Sequence, residues 1–410
     1  MRPAAARTLV QGLLARISTG QLTVVEGRRE RTFGPGGTPR ALMTIHDERV
    51  WEAFLAGSRG LAEAYADGLW DAPDLTAVVR VGAVNMTGLD GLRRRVAPLR
   101  GPFVAARDLW RSNTPERSRE DIAAHYDLGD ELFSRMLDET MMYSCALFER
   151  EGMTLEEASL AKLERICEKL DLHADDHLLE IGTGWGSMAV HAAMTRGCRV
   201  TTTTISRDQH AWAERRVREL GLEDRVTVLL QDYRDLRGEF DKLVSVEMIE
   251  AVGYKDFGTF FATCSRLLAD DGVMLLQAIT MDDRAYEVEK ASRSFMKTLV
   301  FPNGCLPSHE VIARCVARRT DLRTVHVEDL AEHYAWTLAA WRHNLGEAAA
   351  ELEELGYDER FRRLWRLYLC YCEAGFAERR IGLTQTVLGK PGWRGQVGGG
   401  AIAVPGSIPA

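Results

Sequence analysis

The residues that could do chemistry begin with a glycine-rich stretch at residues 177–190, HLLEIGTGWGSMAV. A short apolar run enters a turn containing Gly182, Gly184 and Gly186, and a helical pattern follows it at once. Glycines permit positive φ and close approach of a ligand, at the point where open α/β sheets bind ligands. Because Glu180 lies inside a Glu-x-Gly-x-Gly-x-Gly spacing, the stretch predicts a nucleoside with a cationic amino-acid group rather than a dinucleotide. A glycine turn without a ligand is the alternative.

The composition predicts a soluble protein of two domains. The chain has 410 residues, 46% of them hydrophobic and 27% charged, which is ordinary for globular proteins but long for one domain. No window approaches the ~18 apolar residues of a membrane span, and the N-terminus lacks the apolar core of an export signal. The eight cysteines lack metal-binding spacing, so we expect free thiols in the cytoplasm and no metal site.

The net charge of −8 is unevenly distributed along the chain. Residues 1–117 contain 17 Arg and 12 acidic residues, a balance of +5, which leaves −13 for the remainder. Six arginines interleave with apolar residues at residues 91–111. Such a segment can lie on an anionic membrane surface, and a solvated linker is the alternative. Nothing in the sequence indicates a nucleic-acid partner.

The chain pattern predicts three regions. A polar run with a proline at residues 112–119 separates residues 1–112 from residues 113–390. The first region is predicted to be a small α+β domain, with strands at 22–25 and 41–45 and a helix over 51–70. The Gly/Pro/Ala-rich tail, residues 391–410, is predicted to be disordered.

In the second region strands alternate with helices. This alternation predicts a parallel sheet with helices on both faces, and its order fits a seven-stranded, doubly wound methyltransferase sheet. The predicted strands are residues 178–181, 199–205, 225–230, 242–246, 273–279, 322–327 and 383–388, and two of the helices are residues 209–220 and 257–268.

Six segments in this order resemble the cyclopropane-fatty-acyl-phospholipid synthase family, relatives of the mycolic acid methyltransferases. They are residues 125–133 (HYDLGDELF), 142–148 (MYSCALF), 180–186 (EIGTGWG), 245–253 (SVEMIEAVG), 301–307 (FPNGCLP) and 333–341 (HYAWTLAAW). Residues 60–70 also resemble the N-terminal lipid-binding domain of members that act on phospholipids. The resemblance implies a class I methyltransferase fold with an N-terminal lipid-binding domain, peripheral contact with membranes, and a homodimer.

The resemblance also implies a binding site for S-adenosylmethionine. Glu180, the acid inside the motif, could fix the amino-acid end of this cofactor. The residues that match positions bordering the cofactor in the family are Tyr143, Ser144, Gly182 and Gly184, then Thr204, Ile205 and Gln209 after the second strand, and Asp232 and Tyr233 at the adenine.

The implied chemistry is alkylation of a cis double bond in a phospholipid acyl chain by an electrophilic methyl group. The attack leaves a carbocation, and closing a cyclopropane ring then requires a base in a dry cavity. In the family a bound bicarbonate serves as this base. Its binding residues correspond to Cys145, Glu250 and Tyr334 here, while Gln277 stands where the family has a histidine.

Gln277 is the departure that bears on the product. A neutral amide can hydrogen-bond bicarbonate but cannot share a positive charge with it. The cation could then rearrange before proton loss and give a methylene group, the precursor of a methyl branch. Cyclopropanation is therefore the first prediction and methylene or methyl-branch formation the second. Gln277 could also have only a packing role.

Other functional classes and residue roles stay open. A non-catalytic lipid-binding protein on a degenerate fold is the alternative of another class, and an N- or O-methyltransferase for small molecules is disfavoured. Cys145 is predicted to be a buried, inert thiol rather than a nucleophile. Glu373 is predicted to be a satisfied core acid, and His125 is a weak candidate for bordering the cofactor.

Overall fold

The computed structural model describes residues 3–86, 129–292, 294–302 and 304–399. The chain forms two compact units, which are described separately. The first contains residues 1–111, 287–302 and 338–381, and the second contains 112–286, 303–337 and 382–410. Three of the sequence predictions lie outside the described residues: the basic segment at 91–111, the boundary at 112–119 and the role of His125.

The first unit holds a four-stranded sheet. Its order is β2-β1-β3-β4, and β1 pairs antiparallel with β2 and parallel with β3. The strands are β1 (Gly20–Glu26), β2 (Arg29–Gly36), β3 (Arg40–Ile45) and β4 (Trp70–Asp71).

Where a single helix over 51–70 was predicted, this unit has two short helices, Val50–Leu55 and Gly57–Ala66. Its other described helices include Pro3–Leu14, residues 75–86, the π-helix Met296–Val300, residues 338–347 of the helix Ala331–Glu347, Ala349–Glu354 and Glu359–Ala377. Trp70 lies in β4 instead of a helix, because Gly68 at φ +73° ends the helical region. Glu373 accepts hydrogen bonds from Arg342 (3.0 Å) and Thr76 (3.1 Å), so it is a satisfied acid as predicted.

The second unit holds the predicted seven-stranded sheet, in the order β10-β11-β9-β8-β5-β6-β7. The pairs β9–β8, β8–β5, β5–β6 and β6–β7 are parallel, and β10 pairs antiparallel with β11. The strands are β5 (His177–Ile181), β6 (Arg199–Thr204), β7 (Val226–Leu230), β8 (Phe240–Val246), β9 (Leu268–Met281), β10 (Arg323–Asp329) and β11 (Ile381–Gly389).

Apolar side chains cover both faces of this sheet. One cluster joins the buried faces of helices Leu155–Leu170 and Ser187–Arg196 to the sheet, and another joins Phe257–Leu267 and His309–Arg319 to it. The remaining described helical segments of the unit include Asp130–Met136, Arg207–Glu219, the 3-10 turn Tyr233–Asp235 and Ile249–Val252, and all but the first residue of the helix Tyr286–Lys290 belong to the first unit. The chain order reverses beside β5, so ligands are expected at the carboxyl end of that strand.

Residues 391–399, assigned from composition to a disordered tail, pack on the second unit. The side chains of Trp393 and Val397 lie against its apolar core, and the Gly392 N–H donates to the carbonyl of Asp270 (3.1 Å). Composition missed this because two apolar side chains suffice to anchor a glycine-rich segment. Within the described parts of the chain, no helix is both long and apolar enough to cross a bilayer.

Candidate functional site

A cleft of about 1150 Å³, counting its solvent-open part, lies at the carboxyl ends of the central strands. Its walls come from five short segments that follow β5, β6, β7 and β8 or precede the helix Leu155–Leu170. All ten residues predicted to bind the cofactor line it: Tyr143, Ser144, Glu180, Gly182, Gly184, Thr204, Ile205, Gln209, Asp232 and Tyr233. The structure therefore brings the whole predicted set together, although their role in binding stays a prediction.

The glycine loop is held in a shape that excludes side chains. Gly182 has φ +102°, and a Cβ built there would lie 3.0 Å from the side chain of Met248. The N–H groups of Gly182 and Thr183 both donate to the carbonyl of Thr203 (3.0 and 3.1 Å), which fixes the loop to β6. The backbone at this edge is thus open to a ligand because no side chain can occupy it.

Glu180 places a buried carboxyl group in the wall of the cleft. Its residue is 2% exposed, and Oε2 accepts a hydrogen bond from the hydroxyl of Thr202 (2.6 Å). Burial raises the pKa of Glu180 to about 8, against the lowering effects of Thr202 and of the buried Lys162. A cationic group in the cleft would favour the ionised carboxylate, so this residue fits the amino-acid end of the predicted cofactor.

After β7, the cleft residues Asp232 and Tyr233 differ in how their polar groups are used. Both carboxylate oxygens of Asp232 accept hydrogen bonds from the guanidinium of Arg234 (2.9 and 2.7 Å). The hydroxyl of Tyr233 is buried and makes no hydrogen bond to the described residues, while its ring packs on Phe260. An unsatisfied buried hydroxyl beside a cleft fits a polar heterocycle such as adenine.

Three of the four predicted catalytic residues converge on the carboxylate of Glu247, which the sequence analysis did not select. Oε1 accepts hydrogen bonds from the backbone N–H of Cys145 (3.0 Å) and from Nε2 of Gln277 (2.8 Å), and Oε2 accepts one from the hydroxyl of Tyr334 (2.5 Å). Glu247 has φ +51°, directly after β8, and lines the cleft. The donors expected to hold a bicarbonate therefore hold a side-chain carboxylate.

Glu250, the glutamate chosen from the resemblance, is not part of this group of hydrogen bonds, and its catalytic role stays a prediction. It lies one helical turn further along, where Oε1 accepts from the backbone N–H of Ile279 (2.5 Å). Its Oε2 is buried with no hydrogen-bond partner among the described residues. Burial, together with the nearby Glu247, raises the pKa of Glu250 to about 8. Burial also raises the pKa of Glu247, but three hydrogen bonds, from Tyr334, Cys145 and Gln277, oppose that rise. From other described residues, the side chain of Glu250 accepts only the hydrogen bond from Ile279.

The thiol of Cys145 is buried, as expected from the sequence, and its inertness stays a prediction. It is 0% exposed, and burial, with the added effect of Glu247, holds its pKa well above the ordinary value. Its contribution to the site is the backbone N–H. The structural reason is that the loop before Leu147 runs past the carboxylate and offers its peptide edge rather than its side chain.

A buried lysine connects the two parts of the site. Lys162 is 0% exposed, and its ammonium donates to the hydroxyl of Ser144 (2.9 Å), next to Cys145. Burial lowers the pKa of Lys162 to about 8, while the carboxylates of Glu247 and Glu180 act in the opposite direction. A cation between two buried acids favours their ionised forms.

The sequence analysis missed several residues of the cleft. Besides Glu247 they include Met141, Met142, Thr203, Gln231, Arg234 and Met248, and behind the cleft the buried Lys162, which donates to Ser144. One signal was available for Glu247: it is the first acid after a predicted parallel strand, where ligand-binding residues concentrate. No periodicity distinguishes Lys162 from a lysine on a solvated helix face.

The chain resembles a family of lipid-modifying enzymes along most of its length. The family model described as mycolic acid cyclopropane synthetase matches residues 113–386. The chain is 37% identical to tuberculostearic acid methyltransferase of Mycobacterium tuberculosis, over 82% of this chain and 80% of the relative. It is 38% identical to cyclopropane-fatty-acyl-phospholipid synthase of Escherichia coli K12, over 87% of this chain and 89% of the relative.

Solved structures agree with these sequence relatives. The cyclopropane synthase MmaA2 from Mycobacterium tuberculosis is similar with a TM-score of 0.63 and 33% identity, covering 68% of this chain and all of that structure. The mycolic acid cyclopropane synthase CmaA1, complexed with S-adenosylhomocysteine and CTAB, is similar with a TM-score of 0.62 and 31% identity. The match covers 66% of this chain and 98% of that structure.

Proposed function

We propose that this chain, which belongs to the mycolic acid cyclopropane synthetase family and is an S-adenosylmethionine-dependent methyltransferase, adds one carbon to a cis double bond in phospholipid acyl chains. The observation that carries the proposal is the Glu247 carboxylate, held by Cys145, Gln277 and Tyr334 at the wall of the cleft. A base fixed next to a methyl-donor site suits chemistry that ends in loss of a proton.

The residues of the cleft fit S-adenosylmethionine by their chemistry. Glu180 offers a carboxyl group to its ammonium, the backbone at Gly182 lies open, and the free hydroxyl of Tyr233 lies where adenine is expected. When bound, the cofactor supplies an electrophilic methyl group. The chain's own contribution is to orient this group and to exclude water from it.

Glu247 would then accept the proton. Attack by the double bond forms one carbon–carbon bond and leaves a positive charge on the neighbouring acyl carbon. Hydrogen bonds from Gln277 and Tyr334 keep the Glu247 carboxylate ionised and in place until it takes a proton from the new methyl group. The predicted bicarbonate is not needed in this scheme, because its donors are already occupied.

The product we favour is the exocyclic methylene, the second of the two sequence predictions. Burial raises the pKa of Glu247, but hydrogen bonds from Cys145, Gln277 and Tyr334 oppose this rise and so weaken the carboxylate as a base. The carbocation would thus persist long enough for a hydride to migrate from the methyl-bearing carbon, after which proton loss gives C=CH₂. A methyl branch, as the name of the tuberculostearic acid relative suggests, would need a separate reduction.

Cyclopropane formation is the second candidate. It is supported by the Escherichia coli relative, whose name describes that reaction on phospholipids. Here the methyl carbon bonds directly to the cationic carbon as its proton leaves to Glu247. The two outcomes differ only in whether the hydride moves first.

We also propose that the protein contacts anionic membranes peripherally, lies in the cytoplasm and forms a homodimer. The N-terminal region is proposed to bind lipid. Support for membrane contact comes from the first unit, where Leu9 and Leu13 on the helix Pro3–Leu14 are 55% and 56% exposed and Leu55 is 40% exposed. Sedimentation with vesicles of anionic or zwitterionic phospholipid tests this, and binding to neither would exclude it. Light scattering after gel filtration gives the oligomeric state.

The product is tested by expressing the chain in a bacterial host fed methionine with a trideuterated methyl group. Mass spectrometry of the fatty acids should show a one-carbon addition that retains two deuteriums. Catalytic hydrogenation adds two hydrogens to a methylene product and leaves a cyclopropane unchanged. Acyl chains without added mass would contradict both reactions and favour the non-catalytic alternative.

The role of Glu247 is tested against that of Glu250 with matched amide substitutions. Glu247→Gln should lower turnover by about 10²- to 10⁴-fold, the range of general-base catalysis, with affinity for S-adenosylhomocysteine within a few-fold of wild type. Glu250→Gln should have a clearly smaller effect. The reverse order would restore the assignment made from the resemblance.

A further inference from the structure

A chain of buried hydrogen bonds runs from the helix Leu155–Leu170 through β11 and β9 to Glu247. The ammonium of Lys169 donates to Oε1 of Gln385 (2.7 Å), and Nε2 of Gln385 donates to Oε1 of Gln277 (2.9 Å). Nε2 of Gln277 then donates to Glu247 (2.8 Å). Lys169, Gln385 and Gln277 are each 0% exposed, so water is excluded as an alternative partner.

The direction of this chain is fixed by its first member. An ammonium group has donors and no acceptor, so Gln385 must turn its oxygen toward Lys169. The amide nitrogen of Gln385 then faces Gln277, whose oxygen must accept, and this leaves the N–H of Gln277 pointing at Glu247. Each amide orientation follows from the previous one, because two facing amide oxygens or two facing N–H groups would repel.

We propose that Lys169 and Gln385 are positioning residues that make Gln277 present a donor, never an acceptor, to the catalytic carboxylate. A reversed Gln277 would place its oxygen against Glu247, and only a protonated Glu247 could then make the hydrogen bond. Such an acid could not accept a proton from substrate. The inference rests on the proposed role of Glu247 as the base.

The far end of the chain is an ion-pair cluster that holds the lysine in place. Glu328 accepts from the ammonium of Lys169 and from the guanidinium of Arg165 (2.6 Å), and it is only 15% exposed. Burial lowers the pKa of Lys169 to about 8, while Glu328 opposes this. Burial, with a further contribution from Lys169, lowers the pKa of the nearby His326. Lys169 keeps N–H donors in either protonation state.

Other groups around Glu247 also influence its ionisation. Tyr334 from the helix Ala331–Glu347 and the backbone of Cys145 donate to it, Lys162 attracts its charge, and Glu250 repels it. The amide chain is one contribution among these. Its effect should therefore be a shift of the pH at which activity is lost, not a complete loss of activity.

The test measures turnover against pH in Gln385→Met and Gln385→Glu, with labelled methyl transfer to unsaturated phospholipid vesicles as the assay. Methionine has similar length and no charge but cannot orient Gln277, whereas glutamate accepts from Lys169 and offers Gln277 no donor. Activity is lost as pH falls through the pKa of Glu247. We expect this loss at higher pH in both variants, with turnover at pH 6.5 reduced roughly five- to tenfold and near wild type at pH 8.5.

Lys390→Met is the control, since it removes the ion pair of Lys390 with Asp321 just after β11 and touches no member of the hydrogen-bond chain. It should lower the melting temperature without moving the pH profile. A uniform fall in turnover at every pH in the Gln385 variants would overturn the inference. So would a shift of the pH profile in Gln385→Glu alone, because the added charge would by itself explain that shift. If the Gln385 variants do not fold, Lys169→Met tests the same chain from its other end.

The proposed function has its own readout in this experiment. If Glu247→Gln retains turnover, the base is another group and the proposed mechanism fails. If Glu247→Gln loses turnover while neither Gln385→Met nor Lys169→Met shifts the profile, only the positioning role fails.

Discussion

The cofactor cleft and the Glu247 centre are neighbours that are built in opposite ways. The cleft is formed by short segments that each follow one strand of the sheet, and its loop at Gly182 is shaped by local backbone geometry. The Glu247 centre gathers single groups from distant points in the chain, with Cys145, Gln277 and Tyr334 each contributing one hydrogen bond.

This contrast separates binding from chemistry. A site made of contiguous segments is recognisable in the sequence, whereas a site made of single residues depends on which side chains the fold turns toward each other. Variants of the cleft should therefore change cofactor affinity, and variants around Glu247 should change turnover and its pH dependence. Lys162, which contacts Ser144 and acts on Glu247, is where the two regions meet.

The largest effect on binding is expected for Gly182→Ala. At φ +102° an alanine is strained by about 1–3 kcal/mol, and its Cβ would meet the side chain of Met248. Affinity for S-adenosylhomocysteine, measured by isothermal titration, should fall roughly 10- to 100-fold, with turnover at saturating cofactor much less affected. Gly197→Ala, also at positive φ (+70°) but outside the cleft, should lower only thermal stability. Equal affinity losses in both variants would contradict the local role of Gly182.

A smaller effect, confined to chemistry, is expected for Tyr334→Phe. The hydroxyl of Tyr334 lowers the pKa of Glu247, so its removal raises that pKa and the base is lost at higher pH. Turnover near neutral pH should fall about tenfold, and the fall should lessen as pH rises. Unchanged affinity for S-adenosylhomocysteine is the internal control. A loss that is the same at all pH values would show that the hydroxyl acts otherwise.

The smallest effect is expected in the pH dependence of cofactor binding. Because the pKa of Glu180 is raised to about 8 in the open cleft, a cationic ligand must displace a proton from it below that pH. Affinity for S-adenosylhomocysteine should therefore rise by a few-fold between pH 6.5 and 8, and at most about tenfold per pH unit for one proton. Glu180→Gln should bind more weakly and with a flatter profile. A dependence that survives in this variant would assign the proton to another group.

Much of the fold was accessible from the sequence. Every predicted strand of the seven-stranded sheet is present, because alternating apolar runs and helical periodicities report local burial. The exceptions are places where local signals compete. Trp70 has a helical spacing but pairs in β4, and Trp393 packs on the core although it lies in a glycine-rich tail.

The sequence by itself determined the sheet and the glycine loop, because these depend on periodicity and on glycine positions within short stretches of chain. Ten residues of the cleft were expected from the family resemblance, and others, such as Gln231 and Arg234, were found only in the structure. Only the tertiary structure decided which glutamate meets Cys145, Gln277 and Tyr334, since that choice depends on the left-handed backbone at Glu247 and on the pairing of distant strands. Two acids three residues apart are equivalent in a motif, but they point in different directions once the strand ends and the helix begins.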